Sequence, residues 1–228
     1  MYQQENMTHI SCITQNEMAQ CLKAASYPNL PIIVVGSGNG TVEYNLRHKY
    51  GVQNMILIDP APESFDSYPN NNEYLVPDYS TVEECLTKQP ELKHNCIIFL
   101  PWSTPNDSTY DIDAINLLQP KGIVILFELV GAAGGIALHC WLNVLCIVNN
   151  FKYKWNDYNL LVKKWQHLFP KQKFSKVAIR TSTRWRLFRD TYHPLYYSLL
   201  WIVADGTWIN KNLKDNIIKT FSINEDNV

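Results

Sequence analysis

Apolar runs too short for helices alternate with stretches of helical periodicity over the first 150 residues. Residues 32–35, 54–59, 74–76, 96–100 and 122–127 are rich in Ile, Val, Leu and Phe and predict strands. Residues 15–25, 42–49, 80–88, 112–118 and 136–148 predict the intervening helices. Ser80 reads as the N-cap of the third of these, with Glu83 completing a capping box. Strands and helices alternating at this pace predict a mostly parallel sheet covered on both faces.

Residues 123–148 are apolar over a length that could cross a bilayer. Glu128, the cluster Gly131–Gly135, His139 and Asn143 interrupt them. A buried strand, a glycine loop and a core helix account for every interruption, so no membrane contact is expected.

The last third follows another rule. Tyr158, Leu161, Val162, Trp165 and Phe169 recur at helical spacing, with Lys163 and Lys164 on the other side. Beyond Pro170, Val177, Ile179, Trp185 and Leu187 alternate with Arg180, Arg184 and Arg186, which predicts a strand with a basic face. A second strand over residues 196–204 ends at Asp205-Gly206.

Charge sharpens this division. The 228 residues carry a net charge of only −1. Residues 1–150 hold 6 Lys and Arg against 15 Asp and Glu, whereas residues 151–189 hold 11 against Asp157 alone. Nine aromatic residues lie in that basic segment. Cations interleaved with aromatics suit phosphate contact plus base stacking, so residues 151–189 are expected to meet RNA or another polyanion. A solvated basic face over an aromatic core is the alternative.

Hydrophobic residues at 46% and charged residues at 18% are those of a single globular domain with a sizeable core. Its expected parts are a helical extension (1–30), a cofactor-binding core (31–150), a basic helix and strand pair (151–210) and a tail (211–228). The opening MYQQENMTHI has neither a basic nor an apolar leader stretch, and the six cysteines form no CxxC pair. A cytoplasmic protein with reduced, mostly buried thiols and no metal site is expected.

The candidate chemistry lies at the first strand's end. Residues 32–35 run into Gly36-Ser37-Gly38-Asn39-Gly40 and then a helix, and the next strand ends on Asp59-Pro60. Glycines permit sharp turns and close backbone approach, and a carboxylate can grip two ribose hydroxyls. The dinucleotide fingerprint G-x-G-x-x-G requires a third glycine where Thr41 stands. An NAD-binding oxidoreductase is therefore the weaker alternative.

The G-x-G-x-G run with Asp59 resembles motif I of the class I S-adenosylmethionine-dependent methyltransferases, over roughly residues 25 to 150. The resemblance implies a Rossmann-like, doubly wound α/β fold. Its sheet has seven mostly parallel strands and a C-terminal antiparallel pair, the seventh strand slotting between the fifth and sixth. It also implies S-adenosylmethionine as cofactor, with Gly36, Ser37, Gly38, Asn39 and Gly40 around its methionine and ribose and Asp59-Pro60 at the ribose. Asp78, after the third strand, is placed toward the adenine. Leu100-Pro101-Trp102-Ser103 is similar to the Asp/Asn/Ser-Pro-Pro-aromatic motif of amino-methyltransferases, with Phe99-Leu100 before Pro101-Trp102 in place of the polar first residue and Trp102 as a substrate wall. Val34 stands where the family has an acid. Glu128, ending a buried strand, is the best-placed general base, ahead of Asp111 and Asp113. Methyl transfer to RNA is the expected function. The alternative is the same fold without catalysis, binding nucleic acid or a protein.

Overall fold

The computed structural model describes residues 13–60, 73–101, 108–128, 134–147, 157–188 and 191–222, with backbone alone at residues 128, 181–188, 191–197 and 220–222. The chain opens with α1 (Gln15–Ala25), whose start is held by a reciprocal cap. Thr14 Oγ1 accepts from the Glu17 N–H at 3.2 Å, and Glu17 Oε2 accepts from the Thr14 N–H at 2.7 Å. There follow β1 (Ile32–Val35), α2 (Thr41–His48), β2 (Met55–Ile58), α3 (Val82–Lys88), β3 (Ile97–Leu100) and α4 (Tyr110–Leu118). Then come β4 (Gly122–Glu128), α5 (Ile136–Val144), α6 (Tyr158–Trp165), β5 (Phe174–Phe188), β6 (Thr191–Ala204) and α7 (Lys211–Ser222).

Among the described residues the sheet has six strands in the order β2-β1-β3-β4-β6-β5. The first four run parallel, and β6 lies antiparallel between β4 and β5. The chain winds outward from β1 to β2, then crosses back to place β3 on the other side of β1. That reversal leaves a crevice outside the carboxyl tip of β1, where ligands of open α/β sheets sit.

Strand alternation divides the core into two layers. Ile33, Val35, Ile98, Leu100, Ile123, Ile125, Leu200 and Ile202 pack toward α4 and α5. Ile32, Val34, Ile97, Phe99, Val124, Leu199 and Trp201 pack toward α1 and α7. Both faces are buried, which is why the strands read as continuous apolar runs.

Four expectations change. No strand forms over residues 74–76; the contact with β2 is a single parallel bridge between Ile58 and Tyr79. Its hydrogen bonds go elsewhere: the Leu75 N–H donates to Gly40 O, and Asp78 occupies the β2 edge. The cap of α3 sits one residue later than Ser80 and Glu83. The Glu84 N–H donates to Thr81 Oγ1, and Glu84 Oε2 accepts from the Ser80 N–H. Helix α5 stops at Val144, because Cys146 adopts φ 57° and its N–H turns back to Asn143 O. The terminal strands are longer than the hydrophobic pattern suggested. β4 ends at the pair Glu128–Tyr197, while β5 and β6 continue through six more pairs, Thr183–Tyr196 to Phe188–Thr191. At about 3.3 Å per residue this two-stranded ribbon projects roughly 20 Å past the carboxyl edge of β4. Pro194 is accommodated within it because, among the described residues, β6 there pairs with β5 alone. No helix among the described residues is long and apolar enough to cross a membrane.

Candidate functional site

Register places the tips of β1 and β2 side by side, Val35 opposite Ile58. Beyond Val35, Gly36, Gly38 and Gly40 take φ values of 80°, 57° and 67°, a region that suits glycine alone without strain. The loop is knitted to β2 by the N–H groups of Gly36 and Ser37, both donating to Ile58 O. The Gly38 N–H donates to Asp59 Oδ2 at 2.7 Å. Cradle and carboxylate are thus one hydrogen-bonded unit, with Asp59 only 6% exposed.

The remaining loop donors are also engaged. The Gly40 N–H donates to Ser37 O, and the Thr41 N–H to Asn39 Oδ1. The N–H groups of Gly36, Ser37, Gly38, Gly40 and Thr41 therefore serve the chain itself. A pyrophosphate needs such groups aimed at it, so the loop is poorly suited to a dinucleotide.

Two glycines make room for neighbouring elements. A Cβ on Gly40 would overlap the carbonyl of Leu75, and one on Gly36 would lie 3.0 Å from Tyr110 Oη. The segment after β2 and the start of α4 thus both close on the loop.

Beside it lie polar atoms without a partner among the described residues. Ser37 Oγ and Thr41 Oγ1 are buried without a hydrogen-bond partner. Glu43, in the first turn of α2, is 1% exposed, and neither carboxyl oxygen finds a donor outside its own residue. Burial pushes its carboxyl up to about 8, and the charge of Asp59 adds to the rise. Buried polar groups are normally paired, so their concentration on residues 37–43 marks a region whose polar demand the fold leaves unmet. Orphaned hydroxyls, a left-handed glycine cradle and an acid at the neighbouring tip fit a nucleoside with ribose hydroxyls.

The other expected residues are placed as follows. Pro60 is exposed after Asp59. Asp78 Oδ2 accepts the Leu57 N–H at 2.8 Å while the Asp78 N–H donates to Leu57 O. One residue thus closes the β2 edge as a strand would, which commits part of the carboxylate that was directed at adenine. Leu100 and Pro101 end β3, both buried, so they can border the crevice chiefly through backbone. Trp102 lies outside the described residues. Glu128 ends β4 opposite Tyr197, with its side chain outside the described set. Asp111 is structural: Oδ1 accepts from the Ile112 N–H and Oδ2 from the Gly135 N–H at 3.0 Å. Burial raises its carboxyl to about 6, with those two donors holding it down. Asp113 Oδ2 accepts from the Thr109 hydroxyl at 2.6 Å.

The basic residues do not form one surface. Lys163 and Lys164 are exposed on α6, Lys164 Nζ lying 4.4 Å from the Trp165 ring centroid. Arg180 is corrected: its Nε pairs with Glu17 Oε1 at 2.7 Å, with the side chains only 10% and 11% exposed. It fastens β5 to α1 rather than facing a polyanion. Arg184 and Arg186 stand opposite Leu195 and His193 in the projecting ribbon, and their side chains lie outside the described set.

Sequence reasoning assigned no role to Glu43 or Tyr110. An acid in the first turn of a helix ordinarily faces solvent and the helix dipole. Tyr110 sits eight residues before the end of α4 and ten after β3, where no spacing rule links it to Gly36.

No family model matches the chain, and no curated protein matches it. Solved structures do. The chain is similar to a candidate RNA methyltransferase of Pyrococcus horikoshii, at 11% identity, 82% of each chain and TM-score 0.43. It is similar to the plantazolicin methyltransferase BpumL in complex with S-adenosylhomocysteine, at 11% identity, over 84% of this chain and 82% of that one, TM-score 0.40. The third is the 16S rRNA (adenine(1408)-N(1))-methyltransferase of Catenulisporales acidiphilia, at 13% identity, over 85% and 93%, TM-score 0.35.

Proposed function

We propose that the crevice at the tips of β1 and β2 binds S-adenosylmethionine and that the chain transfers its methyl group. The observation that carries this reading is the Gly38 N–H bond to Asp59, which fuses a left-handed glycine cradle and an acid into one site at the sheet's reversal point. The strand order supports it, since β6 between β4 and β5 is the arrangement the sequence resemblance implies. Bound there, the cofactor supplies a sulfonium methyl group that a nucleophile takes in line. The protein's task is then mainly to position the acceptor. Asp59 would hold the ribose hydroxyls, with the 36–40 loop for the ribose and methionine and Asp78 for the adenine end. Leu100-Pro101 would border the acceptor side, with Trp102 as the proposed substrate contact and Glu128 as the proposed general base.

RNA is the proposed acceptor. The charge of +10 over residues 151–189 supports it, as does a ribbon carrying Arg184 and Arg186 beyond the crevice edge. The second reading is a binding module without catalysis, favoured by the closure of Leu75 and Tyr110 onto Gly40 and Gly36.

Calorimetry separates the readings. The expected result is micromolar binding of S-adenosylmethionine and S-adenosylhomocysteine, no binding of NAD, and loss of about a hundredfold or more in Asp59→Ala. Silence toward all three ligands in the wild type leaves the binding module.

A further inference from the structure

We infer that the amino edge of the sheet carries a second ligand site, which takes a nucleotide. The base stacks on Trp208 and the phosphate lies at the start of α7. The site is a shallow cleft of about 260 Å³, open to solvent. Ile97 at the start of β3, Lys121 just before β4 and Val203 near the end of β6 place it opposite the glycine loop. It shares no residue with the crevice, and its ligand is independent of the cofactor proposed there.

The walls of the cleft offer donors without acceptors. Trp201 lines it at 1% exposure, and its indole N–H has no hydrogen-bond partner. An indole N–H only donates, and buried donors are normally satisfied, so this one calls for an oxygen from outside the protein. Asn210, which caps α7, also lines the cleft. Its Oδ1 accepts from the Leu213 N–H at 3.2 Å and its carbonyl from the Lys214 N–H at 3.0 Å. The N–H groups of Lys211 and Asn212, which open this twelve-residue helix, have no acceptor among the described residues. A helix end of this kind favours an anion. Lys121 adds an ammonium group bonded only to a neutral partner, Asn95 Oδ1 at 2.9 Å. Asp205, just after β6, accepts from Ser175 Oγ at 2.8 Å instead of occupying these donors.

Aromatic surface supplies the other half of the site. Trp208 is 68% and Tyr27 43% exposed, and their ring centroids lie 5.9 Å apart at the mouth of the same cleft. An anion alone needs no ring, and a ring alone needs no donors; a nucleotide carries both. The cleft is shallow, so the base stays at the rim on Trp208 and a phosphate oxygen points inward to Trp201.

The probe is uridine 5′-monophosphate on the full chain, with S-adenosylhomocysteine present throughout to keep the crevice out of the readout. Titration is expected to shift the indole N–H resonances of Trp201 and Trp208. Uridine and inorganic phosphate should each bind at least tenfold more weakly than the nucleotide. Trp208→Ala, an exposed change whose folding a thermal melt verifies, is expected to weaken the nucleotide about tenfold. A uridine oligonucleotide gives the source: tighter binding than the monomer at the same two resonances means a residue of an RNA strand, and no gain means a free nucleotide. Either result upholds the site. Unmoved indole resonances at millimolar nucleotide overturn it, as does a Trp208→Ala variant with wild-type affinity. Phosphate alone binding as tightly as the nucleotide overturns it too, because the ring then contributes nothing.

Discussion

Glu43 carries the least comfortable charge in the molecule. Its carboxyl has an ordinary value of 4.5 and is pushed up to about 8 in the fold. Between those values the folded chain keeps a proton that the unfolded chain releases, so stability falls as pH rises through this range and levels off above it. Glutamine keeps the shape and removes the titration. Glu43→Gln is therefore expected to match the wild type near pH 4 and to melt several degrees higher near pH 9. Melting curves across pH check it, and a difference that does not change with pH refutes the buried, proton-holding carboxyl. Of the two neighbouring acids, Asp59 accepts the Gly38 N–H whereas Glu43 finds no donor outside its own residue, so the proposed ribose contact is assigned to Asp59.

At the scale of elements, α1 is held to β5 by charge. Glu17 spends one oxygen on capping its own helix and offers the other to Arg180 on β5. Removing one partner of a buried pair leaves the other charge uncompensated, which typically costs about 3–5 kcal/mol. Arg180→Ala should thus lower stability by a few kcal/mol in denaturant titration and leave RNA binding, measured on the folded variant, unchanged. A variant as stable as the wild type but weak toward RNA would return Arg180 to the binding surface. The segment after β2 shows the same principle in backbone form. Residues 74–76 form no strand because the Leu75 N–H goes to Gly40 O and Asp78 bonds Leu57 through both its N–H and its carboxylate.

Across the whole molecule, acid and base are segregated. The 150 residues bearing the crevice are acidic in balance, and the helix and ribbon that follow are basic. β5 and β6 outrun β4 at the carboxyl edge where the glycine loop lies, so the proposed RNA contact of the ribbon falls on the same edge as the proposed crevice. Replacing Arg184 and Arg186 together by Ala is expected to weaken single-stranded RNA binding. It should also reduce the slope of log affinity against log salt by about 0.7 for each phosphate no longer neutralised. Fluorescence anisotropy over a salt series reads both. An unaltered slope would take the ribbon out of RNA binding and leave Lys163 and Lys164 as the remaining basic candidates.

The five helices of the first 150 residues, four of the five expected strands, the glycine turn and the acid after β2 were legible in the sequence, because each follows from spacing over a few neighbours. The antiparallel place of β6 came from the family resemblance in residues 36–59 and not from its own apolar run. What neighbours in space decide stayed hidden. Arg180 read as surface until Glu17 met it, and residues 74–76 read as a strand until Gly40 and Asp78 claimed their hydrogen bonds. No spacing rule pointed to the burial of Glu43 or to the approach of Tyr110 to Gly36. Spacing records which residues share a face of an element; burial and partners depend on what packs against that face, and only the tertiary structure brings those groups together.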